Sequence, residues 1–226
     1  MSNSSNQNPS DQKSSMLNYE RVKSDPTSAE LYTKRRPGKH RFEMQMVAEA
    51  FEMLPQGKVS TVLDAPCGVG RLSLWLGQHG FQVTAIDLGE AAVQLTRELL
   101  AANEISAEVR SQNIFKMEYA DAHFDATVCF RLVHHFADPA DQAALIAELC
   151  RVSAKYVVIS YFSPYSFTSL RRKLRLKLKG IPVKQNPNTL DEIKQMFSPH
   201  QFQLLGTVKR SAFLHSLQVA VFRKQS

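Results

Sequence analysis

The run Val62, Leu63, Asp64, Ala65, Pro66, Cys67, Gly68, Val69, Gly70, Arg71 decides the fold. A short apolar stretch delivers an acidic residue, then a tight glycine turn, then a segment of helical pattern through Gln78. The same rhythm continues downstream. Strand-like runs at Thr61 to Ala65, Gln82 to Ile86, Ala107 to Ser111, Phe124 to Phe130 and Tyr156 to Phe162 alternate with helical patterns. Those helices lie near Arg71 to Gln78, Ala91 to Asn103 and Pro139 to Val152, the last opened by Asp138 as cap and Pro139 in the first turn. Such alternation predicts an α/β fold, a doubly wound and mostly parallel sheet covered on both faces by right-handed crossovers.

Upstream, Phe42, Met46, Val47, Ala50, Phe51 and Leu54 recur at the spacing of an amphipathic helix over Lys39 to Leu54. Downstream, Thr189 to Glu192 reads as a capping box opening a short helix through Phe197. Two strand-like runs follow, Phe202 to Lys209 and Leu214 to Phe222, predicted to pair as a C-terminal antiparallel hairpin.

At 226 residues, 43% hydrophobic and 22% charged, the chain has the composition of one globular domain that buries a full core without staples. Cys67, Cys129 and Cys150 are odd in number and form no CxxC pair, so neither a disulfide framework nor a metal site is expected. They read as buried thiols in a reducing cytoplasm. The Ser-, Asn- and Gln-rich start lacks an apolar signal segment and reads as a disordered leader over 1–28, with the folded domain over 29–226. No apolar run approaches the ~20 residues needed to cross a bilayer. Of the net charge of +7, six units come from Arg171, Arg172, Lys173, Arg175, Lys177 and Lys179, which leaves +1 for the rest. The basicity therefore belongs to one segment and not to the fold.

In a doubly wound sheet, ligands sit beyond the carboxyl ends of the strands where strand order reverses. Gly68 and Gly70 remove the Cβ atoms that would hold a ligand off the backbone. Asp87, 17 residues past Gly70 at the end of the second strand, is placed to accept hydrogen bonds from the vicinal hydroxyls of a ribose. A dinucleotide fingerprint would carry glycine at position 73, where this chain has Ser73, and the P-loop lysine is missing too. The ligand expected is an adenosine whose tail carries an amino group and a sulfonium and not a pyrophosphate.

DAPCGVGRL (64–72) followed by TAIDLGE (84–90) resembles the first two motifs of class I S-adenosylmethionine (SAM)-dependent methyltransferases, and the likeness runs from about Thr61 to Phe222. The resemblance implies a Rossmann-like fold and SAM as cofactor. It puts Asp64, Ala65, Cys67, Gly68 and Gly70 against the methionine part and Asp87 and Leu88 at the ribose. Aligning back from Phe124 and Asp125 places Asn113, with Ile114 beside it, where the family offers an aspartate to the adenine amino group. Within FDATVCFRLVHHF (124–136), Arg131 is a candidate at both cofactor and acceptor, and His134 and His135 are candidate general bases.

The acceptor is less legible. The fourth strand lacks the Asn/Asp-Pro-Pro-Tyr/Phe motif that the resemblance links to planar amino nitrogens, and Cys67 lies in the cofactor loop, so a covalent cysteine mechanism is not expected. In the basic insert, 163–189, Leu170, Leu174 and Leu178 share a helical face surrounded by the six cations. Such a helix suits an anionic membrane, contacted through 169–179, or covers an acidic ligand, and by resemblance forms the acceptor lid. The expectation is a small or lipid-linked acceptor, acidic or membrane-associated as for the quinone-biosynthesis enzymes, on a cytoplasmic protein peripheral to a membrane. The alternatives are an RNA methyltransferase that tracks phosphates with these cations and a SAM-binding protein without catalysis.

Overall fold

The structure, a computed structural model, describes residues 37–55, 57–166, 171, 186–210 and 216–225. The motif that opens the fold forms β1 (Thr61–Asp64) and, after the glycine turn, α2 (Arg71–Gln78), while α1 (Pro37–Glu52) precedes them. There follow β2 (Gln82–Asp87), α3 (Glu90–Ala101), β3 (Ala107–Ser111) and β4 (Phe124–Cys129). Past a 3₁₀ turn at Val133–His135, α4 (Pro139–Val152) runs straight into β5 (Ser153–Phe162). The chain closes with α5 (Leu190–Phe197), β6 (Phe202–Val208) and β7 (Leu217–Lys224).

These strands make one seven-stranded sheet in the order β3-β2-β1-β4-β5-β7-β6. The pairs from β3 through β5 are parallel, and β7 lies antiparallel between β5 and β6. This is the mostly parallel, doubly wound sheet with its terminal hairpin. Strand order reverses between β1 and β4, so the crevice a ligand uses opens over those two ends.

Alternating side chains of the central strands feed two cores. Leu63, Val157, Ile159, Ala220 and Phe222 face α4 and α5, meeting Leu145, Ile146, Leu149, Ile193 and Phe197. Val62, Val83, Val128, Val158 and Val221 face α1, α2 and α3, meeting Met46, Val47, Leu72, Leu76, Val93 and Leu100. Full burial of each such aliphatic side chain contributes about 1.5–3 kcal/mol, which is why the central strands read as continuous apolar runs.

Local chemistry sets the helix starts. Asp138 caps α4 by accepting the Ala140 N–H at 2.8 Å, with Pro139 in the first turn. Thr189 and Glu192 form the reciprocal capping box of α5. The loop from β3 to β4 is held from α4: Arg151 donates to the carbonyls of Tyr119 (2.7 Å) and Met117 (3.0 Å) and pairs with Asp121 (2.8 Å) and Glu148 (2.7 Å). Glu148 also accepts the Met117 N–H at 2.7 Å. That anchorage fixes the backbone from Met117 to Asp121.

Among the described residues no helix is long and apolar enough to cross a membrane. The 1–28 leader lies outside them, as do residues 167–170 and 172–185 of the basic insert, with Leu170, Leu174, Leu178 and every cation of that segment except Arg171, whose side chain is exposed.

Candidate functional site

At the end of β1, the Asp64 carboxyl is completely buried; its Oδ2 accepts the Ser73 hydroxyl at 2.6 Å. Its Oδ1 has no hydrogen-bond partner among the described residues. Burial, which disfavours the charged form, outweighs the Ser73 hydrogen bond and, with the nearby Asp87 charge, pushes the Asp64 pKa up to about 7. The residue that breaks the dinucleotide fingerprint thus grips the carboxyl that opens the motif.

The loop between β1 and α2 leans toward β2. Cys67 N–H donates to the Ile86 carbonyl at 2.8 Å, and Gly68 N–H to Asp87 Oδ2 at 2.9 Å. Gly70 has φ +78, a left-handed conformation, and a Cβ there would stand 2.9 Å from the Thr96 methyl, so the position requires glycine. Thr96 donates its hydroxyl to the Gly68 carbonyl at 3.0 Å, tying the loop to α3. The three cysteines are free and buried, and burial raises the Cys150 thiol far above its ordinary range.

Asp87 is buried, and its Oδ1 accepts the Gly89 N–H at 3.0 Å, so one carboxylate is oriented by amides from the loops after β1 and after β2. An ionised carboxylate accepts about four hydrogen bonds in all. Beside it, Asn113 Oδ1 takes the Phe115 N–H at 2.9 Å, an Asx-type turn that spends one lone pair of the acceptor expected to meet adenine. Ile114 is buried and Leu88 half-buried in the same neighbourhood. The orphan Asp64 oxygen, the loop a Cβ would jam and the oriented Asp87 carboxylate fit the amino and ribose groups of SAM.

Across the crevice, past β4, Arg131 adopts φ +63, unusual for a side-chain-bearing residue. Its N–H donates to Ser160 Oγ at 2.6 Å, its guanidinium pairs with buried Glu43 of α1, and its Cζ lies 6.0 Å from the Phe162 ring centre. The His134 ring is fully buried, 4.1 Å from Phe162 and 4.3 Å from His135, whereas His135 is exposed. The far root of the basic insert returns here. Asn186 N–H donates to the His134 carbonyl (2.8 Å), Asn188 N–H to the Phe162 carbonyl (2.9 Å), and the Asn188 amide to Gln142 Oε1 (2.7 Å). Arg131, His134 and His135 are therefore brought together at the ends of β4 and β5, next to the end of β1.

Sequence reasoning missed Glu43, Ser73, Thr96, Gln142 and Asn188. Ser73 was readable only as an absent glycine, and the others act through partners far along the chain. Glu43 carried one usable signal, a charge among the apolar positions of an amphipathic helix. Among the described residues, no cluster of three or more His, Cys, Asp or Glu is spaced to hold a metal ion.

Residues 62–155 match a family described as "Methyltransferase domain". A ubiquinone biosynthesis O-methyltransferase of Alkalilimnicola ehrlichii is 37% identical over 93 residues, 40% of this chain and 37% of that protein. Ribosomal RNA small subunit methyltransferase C of Alcanivorax borkumensis is 34% identical over 70 residues, 31% of this chain and 22% of that protein. The chain thus aligns with well under two-thirds of the length of these relatives. Magnesium protoporphyrin IX methyltransferase from Synechocystis PCC 6803, solved with bound S-adenosylhomocysteine (SAH), superposes with a TM-score of 0.74. That match covers 93% of this chain and 99% of that one at 15% identity, which establishes a shared fold. Fold, motif order and family match agree: residues 62–155 resemble a methyltransferase domain, on a fold shared with the SAH-bound Synechocystis enzyme.

Proposed function

We propose that the chain transfers the methyl group of SAM to a small or lipid-linked acceptor that is acidic or membrane-associated. The observation that carries the donor half is the buried Asp87 carboxylate at the end of β2, oriented between the amides of Gly68 and Gly89. In this reading Asp64, Ala65, Cys67, Gly68 and Gly70 pack on the methionine part, Asp87 and Leu88 hold the ribose, and Asn113 and Ile114 border the adenine.

The cofactor, when bound, supplies a methyl group already activated on a sulfonium, so positioning does most of the work. A base is required only where the acceptor loses a proton as it is methylated. His135 is the better general base because its ring is exposed, while buried His134 supports it from beneath and keeps the Phe162 end of β5 in place. The acceptor half rests on the basic insert and on the ubiquinone-biosynthesis name of one relative. The insert would cover the acceptor and touch an anionic membrane through 169–179 on the cytoplasmic face.

Labelled SAM incubated with the protein and fractionated extract tests this reading. Label in the lipid or small-molecule fraction supports it. Label in RNA would replace the acceptor class, and SAH binding without label in any fraction would make the chain a binder without turnover.

A further inference from the structure

Arg131 is held by four constraints that a surface cation does not need. Its backbone is left-handed at φ +63, its N–H is fixed on Ser160, its guanidinium faces Phe162, and Nη1 is paired with Glu43, whose side chain is only 3% exposed. The Arg131 side chain itself is 12% exposed, yet its buried Nε has no hydrogen-bond partner among the described residues. A buried donor left without an acceptor calls for one, and the Nε and Nη2 edge of a guanidinium matches the two oxygens of a carboxylate.

Strand register places the Arg131 backbone. Val128 sits opposite Asp64, and Ala65 N–H donates to the Val128 carbonyl at 2.9 Å, so the chain past β4 leaves the sheet beside the glycine loop. Because β1 lies between β2 and β4, a nucleoside held at Asp87 with its tail directed over β1 would bring that tail toward β4. An amino-acid tail carries one cation and one anion. The Asp64 oxygen over β1 complements the first, and Arg131 past β4 complements the second.

Resting on the SAM reading above, we propose that Arg131 receives the carboxylate of the cofactor's methionine tail and that Glu43 is its positioning residue. Helix α1 is thereby coupled to cofactor recognition: it stays docked through the same guanidinium that reads the ligand.

The test is calorimetric affinity for two ligands, SAH and its decarboxylated analogue S-adenosyl-thiopropylamine, with the weaker measured by displacement. The unsubstituted protein is expected to prefer SAH by tenfold or more. Arg131→Met is expected to shrink that preference to within threefold while leaving affinity for the analogue unchanged, and Glu43→Gln to give an intermediate loss confined to SAH. Thermal melts establish that each variant is folded, and Arg131→Lys, which keeps charge without the planar fork, replaces Arg131→Met if the latter does not fold. Equal affinity for the two ligands in the unsubstituted protein, or a loss that falls alike on both in the variants, overturns the proposal while leaving the SAM reading intact. Failure of the unsubstituted protein to bind either ligand overturns the SAM reading itself.

Discussion

Neutralising Asp64 in the ligand-free protein should change how stability depends on pH. This carboxyl is completely buried, and its pKa of about 7 stands well above the 3.8 of an ordinary aspartate, chiefly because burial penalises the charge. Between those two values the folded chain holds a proton that the unfolded chain has released. The stability from this group is therefore fully present below pH 3.8 and is lost as pH rises through 7. At 1.36 kcal/mol per pH unit the whole loss is about 4 kcal/mol, of which about 3 kcal/mol falls between pH 5 and pH 8. Urea denaturation of the protein and of Asp64→Asn at both pH values isolates the effect, because Asn keeps an acceptor for Ser73 and cannot ionise. The Asp64→Asn variant should gain on the parent by about 3 kcal/mol in going from pH 5 to pH 8. Parallel pH dependence in the two proteins would refute the reasoning.

If the cofactor's ammonium sits beside Asp64, as proposed above, binding is proton-linked, because that charge favours the ionised carboxyl. SAH binding at pH 6.5 should release protons, seen as a heat that differs between phosphate and imidazole buffers in the parent and not in Asp64→Asn. Gly70→Ala combines a strained φ of +78 with a 2.9 Å approach to Thr96, and should lower stability by about 2–3 kcal/mol in urea titrations. Gly68→Ala meets no atom within 4 Å, so at φ +57 it should cost only about 1 kcal/mol and act mainly on SAH affinity. His134→Ala removes a buried ring and should lower Tm. His135→Ala should keep Tm and lose methyl transfer to the labelled acceptor fraction, and equal turnover with unchanged Tm would remove it as a base.

The legible parts of the fold were those written in local pattern. The central strands β1, β4 and β5 showed because they are largely buried, edge strand β3 buries only Val109, and the caps at Asp138 and Thr189 showed because capping is decided within four residues. The start of β5 was missed at Ser153–Lys155, where half-buried Ala154 and exposed Lys155 interrupt the apolar run and α4 abuts the strand without a turn signal. Among the described residues the last strand runs from Leu217 to Lys224, beyond the expected Phe222, its final residues drawn along by pairing with β6, while 211–215 lie outside the described residues. In the site, the glycine loop and Asp87 were legible because their spacing is short. Glu43 was not, because its meaning depends on Arg131, a partner 88 residues away. Asn188 and Gln142, 46 residues apart, are the same case.

Calorimetric titration of SAH into the ligand-free protein and into Asp87→Ala tests the central claim most directly. Saturable binding of one SAH per chain is expected, weakened at least tenfold, about 1.4 kcal/mol, in a variant whose melt shows it folded. No saturable heat, or equal affinity with Asp87 removed, would contradict the account.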